Sequence, residues 1–394
     1  MKIAYFTDMF LPQVNGIATS LANQATVLGE QGHDILIFTP KLDGIKREKF
    51  QAKNVTVVHL PTVPALIYTE FKFGVFGLPR VIRYLTKFKP DIIHLHSPFT
   101  IGMDAVMAAK LFKKPLVGTV HMYFTNSDYL RFIKYKLAVK LLDKVSQRYL
   151  NFLYGQCDLL LAPSKMLTKE LGSNGFKKPV FYLPNGINPK LAKFLSAKEK
   201  ADFKKKYHLK EKVVLHFGRL SYEKNVDQLI KAFHLLVREH RDISLLIIGD
   251  GPAKKNLKKL VKKLGLEEEI TFTGFIDHQV LISSGLLSLG DVFATASTME
   301  VNPMVVLEAM LYGLPIVGVK QAGLIELVSA NGFLVEPGNI KQLAEKIDRI
   351  LSDQELKNRM SQKSLQLIKQ YSIDKTADKL ISFYKKLTSK AIQS

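Results

Sequence analysis

Two glutamates stand eight positions apart in STMEVNPMVVLEAM, residues 297–310: Glu300 just before an apolar run, Glu308 inside it. Asn302 reads as a helix N-cap, Pro303 as the first helical residue and Gly313 as the stop, so a helix is expected over 303–312. Glu300 then lies in the loop ahead of the helix and Glu308 more than a turn inside it. The amides of Met304 and Val305 point outward without helical partners. Carboxylates flanking a helix N-terminus fit a ligand with an anionic part and a hydroxyl-rich part. Taken alone, these residues favour a plainer reading, in which Glu308 reaches solvent from a half-exposed helix and Glu300 decorates a loop.

A pair of cations sits in GRLSYEKN. Arg219 closes an apolar strand pattern and Lys224 follows five residues on, a spacing that lets both converge on one diphosphate across a loop. An exposed loop with two unrelated cations is the alternative. Histidines end two other strand patterns: His94 and His96 in IIHLH, and His121 in GTVH. A strand-end histidine can hold or move a proton, although a structural hydrogen bond is the commoner fate of any one of them. Gly16, at the turn from the first strand pattern into the first helix, lets backbone amides approach a phosphate, but no GxGxxG accompanies it. No DxD triplet occurs, so no metal and no other cofactor is expected. Cations and helix dipoles would neutralise a diphosphate instead.

The chain has 394 residues, 47% hydrophobic and 23% charged, a globular composition with core enough for two or three domains. Its net charge of +22 favours an anionic partner: phosphate groups, nucleic acid or an acidic membrane surface. A single cysteine, Cys157, leaves no internal disulfide framework and no cysteine zinc cluster, and fits a reducing cytosol. The opening MKIAYFTDMFLPQVNG reads as a strand and loop, with Asp8, Pro12 and Asn15 where an export signal needs an apolar core. No uncharged apolar run approaches the roughly 18 to 20 residues a bilayer span needs, so any membrane contact is expected to be peripheral.

These residues need elements to position them, and the pattern supplies a βαβ rhythm. KIAYFT, DILIFTP, VTVVHLP, DIIHLH and PLVGTVH alternate with helical stretches; after LLLAPS and VFYLPNGIN the rhythm restarts with KVVLHFGRL, ISLLIIGDG, EITFTGF, DVFATAS and PIVGV. Two Rossmann-like, doubly wound parallel sheets are expected, with a boundary near Pro184 to Asn188 and strand ends facing one cleft. The domains are placed at 1–186 and 187–371, and the terminal helix 372–394 is expected to pack back on the first. Residues 129–148 form a basic amphipathic pattern: an apolar stripe of Leu130, Ile133, Leu137, Leu141 and Val145 among Arg131, Lys134, Lys136, Lys140, Lys144 and Arg148. Such a helix fits an anionic membrane interface as well as it fits an ordinary core-facing helix with a solvated lysine face. Nucleic acid is not expected, because no stacking platform or recognised binding motif accompanies the charge.

In order and spacing, FLPQVNG, LHSPF, GTVHMYF, LPNGIN, GRLSYEKN, IIGDGP, FTGF and the E-x7-E of Glu300 and Glu308 resemble the retaining glycosyltransferase family four, of GT-B fold, over nearly the whole chain. NG after the first strand and HMYFTNSDYL are most similar to its lipid-glycosylating members, such as bacterial diacylglycerol glucosyltransferases. The resemblance implies that Glu300 approaches donor-sugar hydroxyls and Glu308 binds the ribose of the nucleotide. Arg219 and Lys224 would hold the diphosphate, Gly16 would border it, and His121 would lie near the reacting sugar. Gly249, Asp250 and Gly251 match the turn near the nucleotide, and Phe275 with Ile276 the stretch lining the base. Asn302, Met304 and Val305 complete the expected donor site. Pro303 departs from the family, which usually has glycine there, and removes one backbone donor; Asn188 replaces the usual aspartate of PNGID.

The function so implied is metal-independent, retaining transfer of a hexose, by preference glucose, from a nucleotide sugar, by preference a UDP-sugar. The acceptor would be a membrane lipid such as diacylglycerol or a glycolipid, at the cytoplasmic face of the cell membrane. A soluble or polysaccharide acceptor of the teichoic acid type is the alternative among enzymes. A catalytically silent basic protein, binding membrane or nucleic acid, is the alternative outside them.

Overall fold

The computed structural model describes residues 1–13, 15–41, 50–64, 72–74, 77–121, 136–173 and 178–393. The chain divides into two compact units, Met1–Gly186 with Ile373–Ser394, and Ile187–Ser372.

The first unit holds β1 (Lys2–Phe6), β2 (Asp34–Pro40), β3 (Val55–Leu60), β4 (Thr62–Pro64), β5 (Lys72–Gly74), β6 (Ile92–Leu95), β7 (Leu116–Thr119), β8 (Leu159–Ala162) and β9 (Val180–Tyr182). Seven of them form a parallel sheet in the order β3-β2-β1-β6-β7-β8-β9, and β4 pairs with β5 antiparallel. The apolar runs follow from burial on both faces: β6, β7 and β8 are buried at every residue. The terminal helix Ile373–Gln393 lies in this unit's core, where Ala377, Leu380 and Tyr384 join Tyr5, Leu21, Ile37 and Leu161.

The second unit holds β10 (Lys212–Phe217), β11 (Ile243–Ile248), β12 (Ile270–Gly274), β13 (Val292–Ala294), β14 (Ile316–Val319) and β15 (Gly332–Val335), parallel in the order β12-β11-β10-β13-β14-β15. Two cores flank the sheet. One gathers Val214, Leu229, Phe233 and Ile347, the other Leu215, Phe293, Leu307 and Met310. In each sheet the chain winds one way from a central strand and then returns to its other side, at β1/β6 and at β10/β13. Ligands of such sheets bind beyond the strand carboxyl ends at that switch point.

Two sequence expectations need correction. The helix after Asn302 is Met304–Leu311, and Pro303 is its N-cap, with extended backbone (φ −69, ψ 119), not its first helical residue. Its carbonyl starts the ladder, accepting from the amides of Val306 and Leu307 at 3.1 and 3.3 Å. Gly313, at φ +69, supplies the left-handed stop. The basic helix is described as Lys136–Gly155. Arg131 and Lys134 lie outside the described residues; Lys136 and Lys140 are in the first turns, and Lys144 and Arg148 are exposed. Of its apolar stripe, Val145 is 55% exposed, against the core-facing alternative, while Leu150, Leu153 and Tyr154 supply the buried face.

Candidate functional site

Glycines shape the loop after β10. Gly249 and Gly251 have φ of +144 and +156, and a Cβ on them would stand 1.9 Å from Gly218 O and 2.5 Å from Leu220 O. Their close approach lets Gly218 N reach Ile248 O at 3.0 Å and Leu220 N reach Asp250 O at 2.9 Å. The GDG turn thus locks the loop that carries Arg219, which is half-buried. Asp250 is engaged by its own helix: its carboxylate accepts from Gly251 N and pairs with Lys254 at 2.6 Å, which holds it below the usual carboxylate range.

Lys224 closes a short 3₁₀ turn, and its Nζ meets Glu300 Oε1 at 2.6 Å, with side chains 26% and 11% exposed. The next residue, Asn225, takes left-handed backbone (φ 49), and its amide group donates to Ala296 O at 3.2 Å and Thr298 Oγ1 at 3.3 Å. On its other side, Glu300 O accepts from Gly323 N at 2.9 Å. The Glu300 loop is therefore pinned from two directions, which fixes its carboxylate against the cation 76 positions earlier. Beneath them His216 bonds Ala294 O at 2.9 Å, and burial pushes its pKa down to about 4.

Met304 and Asn302 are buried and Val305 is half-buried; a Cβ on Gly218 would stand 3.4 Å from Val305, so the helix start lies beside the Arg219 loop. Glu308 is 4% exposed, so it does not reach solvent from a half-exposed helix; instead it accepts from His278 Nε2 at 2.7 Å. Burial disfavours charge on His278, but the adjacent Glu308 carboxylate outweighs it and raises the pKa above the usual value. His278 opens a short helix capped by Asp277, directly after the half-buried Ile276 and the exposed Phe275. A buried carboxylate held by one imidazole keeps further lone pairs for hydroxyls. Sequence reading missed His278 and Asn225, whose partners lie 30 and 71 positions away.

The first unit's switch point is built differently. Gly16 opens the helix Gly16–Glu30, whose N-cap Asn15 accepts from Ala18 N at 2.8 Å. Asp8, 2% exposed, accepts from Ser97 Oγ at 2.8 Å; burial pushes its carboxyl up to about 7 against that hydrogen bond. His121 follows β7, and its Nε2 is 3.2 Å from His96 Nδ1. Burial pushes its pKa down to about 4. Among the described residues, no three His, Cys, Asp or Glu side chains gather as a metal site.

Comparison with known proteins returns two adjoining family models. "Glycosyltransferase Family 4" matches residues 14–191 and "Glycosyl transferases group 1" residues 197–367. The chain is similar to an alpha-monoglucosyldiacylglycerol synthase of Streptococcus pneumoniae, 29% identical over 84% of this chain and 74% of that one. It is also similar to a GDP-mannose-dependent alpha-mannosyltransferase of Corynebacterium glutamicum, 29% identical over 87% and 78%. Among solved structures, HepE of Anabaena in complex with UDP superposes with a TM-score of 0.76 at 20% identity, covering 98% of this chain and 100% of that one.

Proposed function

Because the chain belongs to the family-four glycosyltransferases, with their two-sheet GT-B architecture, we propose that it transfers glucose from UDP-glucose, with retention and without a metal, to a membrane lipid such as diacylglycerol. The observation that carries this reading is the Lys224–Glu300 pair, fixed at 2.6 Å beside the Arg219 loop and the helix of Glu308. A diphosphate drawn to Lys224 and Arg219 leaves Glu300 for sugar hydroxyls and Glu308 for the ribose. The second unit would hold the donor, the first the acceptor.

In the transfer, the acceptor hydroxyl oxygen bonds to the anomeric carbon as the bond from that carbon to the diphosphate oxygen breaks. The departing oxygen takes the acceptor's proton on the same face of the sugar, which gives retention. Arg219 and Lys224 stabilise the charge that develops on the leaving group. The products are a glycolipid and the nucleoside diphosphate.

A lipid acceptor is supported by the surface of the first unit and by the diacylglycerol-type name of one relative. On the helix Lys136–Gly155, Val145, Tyr149 and Phe152 are exposed at helical spacing beside Lys144 and Arg148. The helix Thr100–Phe112 packs against it and adds exposed Met107 and Leu111. Apolar side chains rimmed by cations fit the interface of an anionic bilayer. No described helix is long and apolar enough to cross one. We place the enzyme on the inner face of the cell membrane, where nucleotide sugars and acceptor lipid meet.

The test is nucleotide release from a panel of nucleotide hexoses, with and without diacylglycerol in anionic vesicles. Lipid-dependent release from UDP-glucose with a glycolipid product is expected. Release that ignores lipid would replace the lipid by a soluble or polysaccharide acceptor, and no turnover with any donor would leave a binding protein.

A further inference from the structure

The stretch that follows β12 is held at both ends, and its far end rests on Glu308. At the near end Gly274, at φ +77, closes the strand, and its carbonyl accepts from Gly249 N of the GDG turn at 3.0 Å. The turn that locks the Arg219 loop therefore also fixes where the chain leaves the sheet. At the far end the short helix His278–Ser284 is capped by Asp277, whose carboxylate accepts from Gln279 N at 2.9 Å. Its buried Leu281 and Ile282 share a core with Leu307, Leu311 and Tyr312, and the Tyr312 hydroxyl donates to Ile282 O. Phe275 and Ile276 are strung between these two anchors: Ile276 packs against that core, while Phe275 stays 41% exposed.

His278 is the first residue of the short helix, and its Nε2 reaches Glu308 Oε1 at 2.7 Å. The two side chains are unequally covered, the imidazole 30% and the carboxylate 4% exposed. Val306, Leu307, Ala309 and Met310 beside Glu308 on its helix are buried as well, so the carboxylate stands in apolar surroundings where a directed partner is needed to hold a negative charge. Burial works against charge on the ring, and the adjacent carboxylate overrides it, which keeps a proton between the two groups. A planar ring donates along one line, so the contact fixes how the carboxylate is turned as well as where it lies.

We propose that His278 is a positioning residue for nucleotide recognition: it ties the Glu308 carboxylate to the segment of Phe275 and Ile276 and so sets the orientation in which that carboxylate meets the ribose hydroxyls. The proposal rests on the donor-site reading of Glu308. On that reading the imidazole acts through Glu308 and not on the reacting atoms. Its loss leaves a buried carboxylate short of a donor and free to turn. Ground state and transition state then lose the same contact, which raises KM and spares kcat.

Calorimetry with UDP and with its 2′,3′-dideoxy form, on the full chain and on His278→Ala and His278→Gln, tests it. His278→Ala is expected to weaken UDP binding about tenfold or more, but binding of the dideoxy form less than about threefold, because without ribose hydroxyls the orientation of Glu308 no longer matters. His278→Gln, whose side-chain amide donates at a similar reach, is expected to bind UDP within about threefold of the wild type. In kinetics with UDP-glucose, His278→Ala is expected to raise the donor KM about tenfold with kcat within about threefold. Equal weakening of both ligands, or no rescue by His278→Gln, overturns the proposal and reduces His278 to packing; unaltered UDP affinity in His278→Ala removes it from the site. A wild-type chain that does not bind UDP overturns the UDP-sugar reading and this proposal with it, whereas the other adverse outcomes strike the proposal alone.

Discussion

The two switch points belong to similar sheets, yet one is built from charges and the other from their suppression. In the second unit, Lys224 faces Glu300 at 2.6 Å and His278 faces Glu308 at 2.7 Å, so each carboxylate already has a cationic or cation-prone partner. In the first unit, burial drives the groups toward neutrality: Asp8 upward, and His94, His96 and His121 downward. The difference matches what each edge would meet. A nucleoside diphosphate is recognised by charge, whereas an acceptor hydroxyl is recognised by directed hydrogen bonds in a site of low charge.

The largest effect expected from breaking this contrast is at Lys224. Lys224→Ala should lower kcat on the order of 10² to 10³-fold without unfolding the chain. Single-turnover kinetics with a circular dichroism control check it; unchanged turnover would refute a charge-built donor site. Glu308→Gln comes next. On the proposed role of Glu308 as acceptor for the ribose, loss of its charge should weaken UDP binding about 10- to 100-fold by calorimetry, with hexose-1-phosphate binding little changed. Equal weakening of both ligands would mean that Glu308 acts only through packing.

Smaller effects come from the first unit. Phe152→Asp on the exposed face should weaken binding to anionic vesicles about tenfold and leave UDP binding unaltered. Unaltered vesicle binding would move the membrane contact elsewhere. Asp8 gives the finest test. Its folded pKa, about 7, lies above the ordinary 3.8, so its contribution to stability is fully present below pH 3.8 and is lost as pH rises toward 7. His121, lowered from 6.5 to about 4, works in the opposite sense: its contribution is present above 6.5 and lost as pH falls toward 4. Asp8→Asn should therefore remove part of the decline in denaturation midpoint between about pH 4 and 7. A wild-type slope in the variant would mean that Asp8 is not buried as an acid.

Much of the architecture was legible because parallel strands covered on both faces read as apolar runs, and their alternation with helices leaves few topologies. The helix of Glu308 was legible except for its ends, each expected one residue too far out. Proline fits both N-cap and first helical position, and the choice is made by ψ of Pro303, which the loop from Glu300 sets. The basic stripe around residues 129–148 was harder. Periodicity tells which residues share a face, and Val145 shows that it does not tell which face is covered.

What the sequence by itself determined is the set of local instruments: two wound sheets, the glycines that admit close backbone, the E-x7-E spacing, and cations at a strand end. What the tertiary structure decided is pairing. Lys224 meets Glu300 across 76 positions, His278 meets Glu308 across 30, and His94 meets Tyr384 of the terminal helix across 290. A pKa, a tautomer or a buried charge depends on what stands within a few ångströms, and that neighbour comes from another strand or helix. No spacing along the chain encodes it, which is why the charged edge and the neutral edge look alike until the chain is folded.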